Sequence, residues 1–391
     1  MPFDIPGRLA RVAGAFSIFA FLTVLPLLAA PAQAEEFDEH LSIPGTSLRV
    51  VNLIGEVRIQ GHDGSAFLVD VHVRGKDANR ERVHLERPDG SKETLVVRFP
   101  VDSETHYVYP PLGAGSTTNF HWNPDGGNEH FGIKEIVGMV ANRRIRVSGK
   151  GDGLELWADL TVLVPRGGKL EFQNGCGIVA AEDVEGTLRL DTHSGTVSAD
   201  RVKGDVSADT GSGEVRVASV TGNVLADTGS GSVHIEDVTG DVNADTGSGS
   251  VTVLHARSTH ILADTGSGSV SLSDISCEKL SVDTGSGTIE VTAASLGSGV
   301  FDTGSGGVEL ALDRLGSGPI RVDTGSGSLV LDLPPSPSAT IKASTGSGGI
   351  DVDIEGVDWI TNERRDKSFR VGKGDAQVVL DTGSGSIRVR I

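Results

Sequence analysis

Cysteine and aromatic residues are scarce in this chain of 391 residues. The sequence contains two cysteines, Cys176 and Cys277, and only 4% aromatic residues. Two cysteines are too few for the disulfide framework of a small secreted domain. They also lie far apart in the sequence, so we predict two buried thiols, with a bond between chains as the alternative. The fold must therefore be stabilised by something other than disulfides or a large aromatic core.

Long apolar runs are confined to the first 30 residues. Arg8 and Arg11 precede an apolar run over residues 12–30, and Ala32-Gln33-Ala34 follows it. A basic start, an apolar stretch and a small-x-small site predict a cleaved secretory signal peptide over residues 1–34. An uncleaved membrane anchor is the alternative. We therefore expect a periplasmic or extracellular protein with no stable membrane span after cleavage.

Positive charge is in deficit. The chain has 34 lysines and arginines against 53 aspartates and glutamates, a net charge of -19. So acidic a protein repels nucleic acid and anionic lipid and attracts cations. We expect no nucleic-acid partner, an unknown envelope or surface ligand, and cationic peptides as candidate partners.

Glycine, in contrast, is abundant, and much of it belongs to one repeated motif. Residues 227–232 read D-T-G-S-G-S, and most successive copies begin 18 or 19 residues apart. The same string or a near copy begins at Asp191, Asp209, Asp245, Asp264, Asp283, Asp302, Asp323 and Asp381, with a degenerate copy at Ser344. A near-constant period of this length indicates a repeat architecture.

Apolar residues alternate on both sides of each motif. Val224 and Ala226 precede the copy at Asp227, and Val233 and Ile235 follow it. This alternation predicts short half-buried strands, which bury their apolar face only by stacking on the next repeat. We therefore predict an all-β fold, a single-stranded β-solenoid (β-roll or β-helix). Its coils would have about 18–21 residues, with two short strands and two turns each.

The predicted domain organisation follows from where the repeats begin. Residues 166–391 would form the solenoid repeats, with an insertion near 356–376 that covers one open end. Residues 35–165 would form a β-rich N-terminal region with a long loop near 102–135, because prolines and glycines cluster there. The alternating arginines of the last strand, Arg388 and Arg390, predict an exposed edge that resists end-to-end stacking.

The motif also occurs around the catalytic aspartate of pepsin-like proteases. Those enzymes need two aspartates that share one proton, whereas ten tandem copies predict a column of aspartates. We interpret the motif as a corner. Its aspartate would accept backbone N–H bonds from the turn, its threonine would lie at a strand edge, and its glycines would supply positive φ.

Calcium is the cofactor that such a column of carboxylates suggests. The candidates at the turns are Asp209, Asp227, Asp245, Asp264 and Asp283. Calcium-binding β-rolls place aspartate after the turn glycines, whereas here it precedes them. We therefore predict no cofactor and keep calcium as the alternative. The stretch from His121 to His130 has no recognised zinc spacing.

One family resemblance is visible in residues 158–206. A strand that ends in Val164-Pro165 is followed by recurring units of glycine and alternating hydrophobic residues. This pattern resembles the bacterial putative-adhesin family, a domain of unknown function built of β-strand repeats. The resemblance extends over most of residues 40–391 and is clearest over 155–391. It implies an exported solenoid of the cell envelope and transfers no catalytic residue.

We therefore expect a non-enzymatic exported cell-envelope or surface protein. It would be an adhesin-like repeat scaffold that binds through its elongated face. A calcium-stabilised β-roll and a polysaccharide-active β-helix enzyme are the alternatives. The enzyme would need acids clustered with a basic residue, and the outward positions after the turn show no such cluster: Arg216, His234, Thr252, Ser271, Glu290, Glu309 and Val330.

Overall fold

The structure is a computed structural model that describes residues 35–88, 93–122 and 143–391. The described residues all belong to one compact unit. The predicted signal peptide and the stretch from Asn123 to His130 lie outside the described residues. Within the described ranges, no helix is long and apolar enough to cross a membrane.

The described residues form strands, and the predicted all-β class is confirmed. The strands before the repeats are β1 (Phe37–Pro44), β2 (Ser47–Ile54), β3 (Val57–His62), β4 (Ala66–Arg74), β5 (His84–Glu86), β6 (Thr94–Arg98), β7 (His106–Val108), β8 (Thr117–Trp122), β9 (Arg143–Ser148), β10 (Leu154–Glu155) and β11 (Trp157–Pro165). A short 3-10 turn covers Pro110–Leu112.

The repeats contain the remaining strands. They are β12 (Gly168–Cys176), β13 (Val179–Glu182), β14 (Gly186–Ser194), β15 (Val197–Lys203), β16 (Val206–Ser212), β17 (Val215–Thr221), β18 (Val224–Ser230), β19 (Val233–Thr239), β20 (Val242–Thr246), β21 (Val251–Thr265), β22 (Val270–Thr284), β23 (Ile289–Thr303), β24 (Val308–Leu315), β25 (Pro319–Thr324), β26 (Leu329–Asp332), β27 (Ala339–Thr345), β28 (Ile350–Asp353), β29 (Asp358–Asn362), β30 (Asp366–Val371), β31 (Ala376–Thr382) and β32 (Ile387–Arg390).

Successive repeats pair in parallel and in register. Strand β16 pairs with β18, which pairs with β20, so that Asp209, Asp227 and Asp245 lie side by side. The strands after the motif pair in the same way, β17 with β19 and β19 with β21. The predicted alternation is correct, since Val224, Ala226 and their counterparts are buried in one continuous core. The fold is solenoid-like.

The second turn differs between early and late repeats. In the 18-residue repeats it contains a glycine of positive φ, such as Gly222 or Gly240. In the 19-residue repeats it is absorbed into the 15-residue strands β21, β22 and β23. The extra residue lets the chain round this corner without a glycine of positive φ, so the two strands predicted for each of these repeats are continuous.

The N-terminal region is part of the same sheet. Strand β2 pairs in parallel with β12, and β3 pairs in parallel with β13, so residues 47–62 are the layer on which the first repeat stacks. Part of the segment predicted as a loop lies in strands β7 and β8, which form a second sheet of four strands with β9 and β10. Phe120 of that sheet packs on His193, with ring centroids 5.0 Å apart.

The C-terminal strands are not stacked in sequence order. Strand β31 lies between β25 and β27, so Asp381 is flanked by Asp323 and Ser344. Strand β32 likewise lies between β26 and β28. The prediction that Arg388 and Arg390 occupy an exposed edge strand is therefore wrong. A hairpin of β29 and β30 instead pairs antiparallel with the outer side of β27.

Both cysteines are free and buried, as predicted. Burial raises the pKa of the Cys176 thiol to about 12 and that of Cys277 to about 11. A thiol of such high pKa carries almost no thiolate at neutral pH and is unreactive.

Candidate functional site

The threonine of the repeated motif is its buried anchor. Thr284 is 1% exposed, and its hydroxyl donates to the carbonyl oxygen of Gly268 at 2.8 Å. The same hydroxyl accepts the backbone N–H of Gly287 at 3.1 Å. The threonines of the other copies donate in the same way to a glycine carbonyl of the adjacent coil. The threonine is the last residue of its strand, and its side chain points inward and ties neighbouring coils together.

The aspartate of the motif lies on the outer face beside its counterparts. The five predicted calcium candidates, Asp209, Asp227, Asp245, Asp264 and Asp283, occupy one column in register. Partial burial, followed by repulsion from the preceding aspartate, raises the carboxyl pKa of Asp245, Asp264 and Asp283. Hydrogen bonds from turn amides would lower those pKa values. The predicted anchoring to the turn is therefore not found at these three positions.

Amide-bound acids occur instead at the second turn of the early repeats. The backbone N–H of Asn223 donates to Asp205 at 2.9 Å, and that of Asp241 donates to the side-chain oxygen of Asn223 at 3.0 Å. Asp241 accepts the backbone N–H of His260 at 2.9 Å, which lowers the pKa of this carboxyl. Aspartate and asparagine alternate at this position because either supplies the acceptor oxygen.

The column of aspartates should make the folded state less stable as the pH rises. A raised pKa means that the folded state holds the proton more tightly than the unfolded state, so stability falls between the ordinary aspartate pKa of about 4 and the raised native pKa. We expect Asp264→Asn to raise the melting temperature at pH 7 and to lose this advantage near pH 3. Asp241→Asn is the control: the pKa of this carboxyl is lowered rather than raised, so the substitution should not raise the melting temperature at pH 7. Equal shifts in both variants would contradict this account.

Calcium binding at the column remains a prediction. Calcium takes six to eight oxygen ligands, and the column presents its carboxylates in single file along the stacked strands. Within the described ranges, one group of three His, Cys, Asp or Glu residues has ligand atoms all within 4.8 Å of one another, and it lies elsewhere, at Glu236, Asp237 and His255. This linear arrangement of carboxylates also differs from the two converging aspartates of an aspartic protease.

A long groove runs over the outer face of the strands that precede the motif. Its volume is about 860 Å³, and its walls span residues 187–319. The floor is the column two residues before each aspartate, in which Leu225, Asn243, Leu262, Ser281 and Val300 follow one another in register. Apolar and polar side chains therefore alternate from coil to coil. Leu262 is 41% exposed and Val300 is 50% exposed.

Two columns of polar groups border this floor. On one side lie the second-turn residues Asp205, Asn223, Asp241, His260 and Lys279. On the other side runs the column of aspartates, because residues two apart on a strand share a face. Leu225, Leu262 and Val300 precede the motif and were not among the outward positions predicted from the sequence. Their signal was available, since large apolar residues at outward positions of a repeat are unusual.

The stretch from His121 to His130, for which no zinc site is predicted, is described by the structure only at its first two residues. His121 lies on β8 with an exposed side chain, and residues 123–130 lie outside the described ranges.

Comparison with known proteins identifies the repeats. No curated protein matches the chain in sequence. The crystal structure of a putative cell adhesion protein from Clostridium sporogenes aligns with 91% of this chain and 99% of its own, at 12% identity and with a TM-score of 0.18. A TM-score of this size does not establish a shared fold. The sequence model of the Toastrack DUF4097 family matches residues 221–390. The predicted resemblance to a family of β-repeat domains of unknown function is thus confirmed over residues 221–390, which match the Toastrack DUF4097 model.

Proposed function

We propose that this protein is a non-enzymatic, exported repeat scaffold of the cell envelope or surface, and that it binds an extended ligand along the groove. The observation that carries the proposal is the floor of the groove, where the half-buried Leu225 and the exposed Leu262 and Val300 lie along one line of stacked strands. Exposed apolar side chains that line up in a concave surface are typical of binding sites. The proposed coil has 18–21 residues, which keeps the floor positions in register.

The chemistry of the groove and of the adjacent column of aspartates favours a basic peptide that also carries apolar side chains. The apolar floor would take up its apolar groups, and the adjacent column of aspartates would pair with its positive charges. Partial burial and then repulsion from the preceding aspartate of the column raise the carboxyl pKa of Asp264 and Asp283. A cationic ligand would relieve this repulsion, so part of its binding free energy would come from the column itself. The net charge of -19 would also attract such a ligand from a distance.

Cation binding is the second candidate function, and the same raised pKa values favour it. Calcium along Asp209, Asp227, Asp245, Asp264 and Asp283 would stabilise the scaffold without excluding a ligand in the groove. A polysaccharide-active enzyme is the third, and release of reducing ends from polysaccharides would favour it. Export through cleavage of residues 1–34 belongs to the proposal and is tested by the mass of the mature protein.

The groove is tested with a labelled twelve-residue peptide of alternating lysine and leucine. We expect Leu262→Ser combined with Val300→Ser to weaken binding about tenfold or more, because the ligand then loses apolar surface to bury. Asp264→Asn combined with Asp283→Asn should also weaken binding and should reduce its dependence on salt.

Two controls separate the groove from the general acidity of the protein. Ile360→Ser removes an apolar side chain that is 57% exposed on the distant strand β29. Glu290→Gln combined with Glu309→Gln removes two charges from the outer face of the strands after the motif. Both controls should leave binding unchanged within about twofold. Equal losses in the control and groove variants would refute the groove as the binding site.

A further inference from the structure

One corner of the repeats bends through the left-handed region at residues other than glycine. The corner residues of the seven repeats concerned have φ between 49° and 56°: Asp183, Arg201, Ser219, Asp237, His255, Asp274 and Ala293. Their side chains project outward at the same position of each coil. Neighbouring coils therefore bring the corner residue of one repeat against the corner residue of the next.

At one corner this arrangement forms an ion-paired cluster. Arg201 donates to Asp183 through Nε at 2.7 Å, and its guanidinium also contacts Glu182 and Asp200. An acidic pair on one coil, Glu182 and Asp183, is thus neutralised by a cation on the next coil.

Three coils farther along, the same acidic pair meets a histidine. Glu236 and Asp237 take the positions of Glu182 and Asp183, and His255 takes the position of Arg201. His255 Nδ1 lies 3.4 Å from a carboxylate oxygen of Asp237 and 3.8 Å from one of Glu236. These separations are wider than the 2.7 Å bond that Arg201 makes at the equivalent corner.

The spacing of these three donor atoms can be compared with that of ligands around a small cation. Ligands bound to Zn²⁺ at about 2.1 Å in a tetrahedral arrangement lie about 3.4 Å from one another. The three ligand atoms of Glu236, Asp237 and His255 lie within 4.8 Å of one another. A metal between them would therefore need only small side-chain adjustments.

Two further side chains complete the surroundings. His255 Nε2 lies 4.0 Å from Asp274 on the following coil. A carboxylate behind the second ring nitrogen orients a metal-bound histidine and raises its basicity. On the other side, His234 Nε2 lies 3.6 Å from the second oxygen of Glu236. It is placed to orient this carboxylate or to add a fourth ligand.

We propose that Glu236, Asp237 and His255 bind a divalent transition metal of the zinc class. A mixed nitrogen and oxygen donor set favours Zn²⁺ over Ca²⁺ and Mg²⁺, which prefer oxygen alone. The three side chains are between 40% and 59% exposed, so the metal enters directly from solvent. The proposal is independent of the groove, which lies on another face of the repeats.

The test is calorimetric titration of the full chain, without a histidine tag, with ZnCl₂ at pH 7.5. We expect one site that is lost or weakened at least tenfold in His255→Arg. That variant reproduces the arginine found at residue 201, so it should fold and should keep its melting temperature without zinc. Glu236→Gln should also weaken binding at least tenfold.

Two further variants sharpen the result. His72→Asn removes a histidine that pairs with the single carboxylate of Asp38, and it should leave the titration unchanged. Arg201→His should create a second site with Glu182 and Asp183, which would raise the stoichiometry to two. Undiminished zinc binding in His255→Arg, or no stoichiometric binding in the parent protein, would overturn the proposal.

Discussion

Gly268→Ala should destabilise the repeats by more than about 3 kcal/mol, the cost of a severe steric overlap in a packed core. A Cβ at Gly268 would lie 1.6 Å from the carbonyl oxygen of Gly249 and 2.3 Å from its carbonyl carbon. Both atoms belong to the backbone of the adjacent coil, so no side-chain rotation removes the clash. The same carbonyl oxygen accepts the hydroxyl of Thr265 at 2.8 Å. Relief of the overlap would therefore pull apart both the strand pairing and this hydrogen bond.

Gly349→Ala is the matched control, because a Cβ there meets no atom within 4 Å. Urea unfolding measures both variants, and amide exchange shows where the loss occurs. In a repeat protein each coil contacts mainly its neighbours, so exchange should accelerate around residues 249–287 first. Similar stability of the two variants would show that the coils can separate at this corner without cost.

Thr284→Val should lower stability by about 1–3 kcal/mol, although valine has nearly the same shape as threonine. The substitution leaves the carbonyl oxygen of Gly268 and the N–H of Gly287 without the hydroxyl that serves both. A buried polar group without a partner costs more than the lost hydrogen bond contributes.

Thr288→Val provides the comparison for this substitution. Thr288 lies four residues later and is exposed, so its replacement should change stability by less than about 0.5 kcal/mol. Urea unfolding of both variants gives the difference. If valine is tolerated equally at both positions, the threonine column is not what holds the corners together.

Much of the fold was predictable from the local pattern of the repeats. Alternation at Val224 and Ala226, and at Val233 and Ile235, predicted inward strands correctly, because a strand has only two faces and the apolar one must be buried. The role of Thr284 was not predictable from this alternation. Alternation does place a threonine that follows an outward aspartate on the inward face. That Gly268 supplies an acceptor for its hydroxyl depends on how the neighbouring coil stacks.

The candidate site was less predictable than the fold. The column of aspartates was visible in the sequence, whereas the absence of turn amides around Asp264 depends on backbone directions that the motif does not encode. The groove arises from side chains such as Leu225 and Leu262, which are 37 residues apart in the chain. Glu236 and His255 likewise meet only because a repeat of nearly constant length places them on adjacent coils.

By itself, the sequence determined the repeat length, the inward columns and the alignment of the aspartates, since each follows from a strict period and from burial of apolar side chains. The tertiary structure alone decided the order of the last coils, in which β31 and β32 lie between earlier strands. It also placed Arg390 beside Asp332, 58 residues away, rather than on an open edge. The physical reason is that nearly identical coils offer nearly identical pairing partners. Local pattern therefore specifies how a coil stacks, and only the packing of the whole chain specifies on which coil.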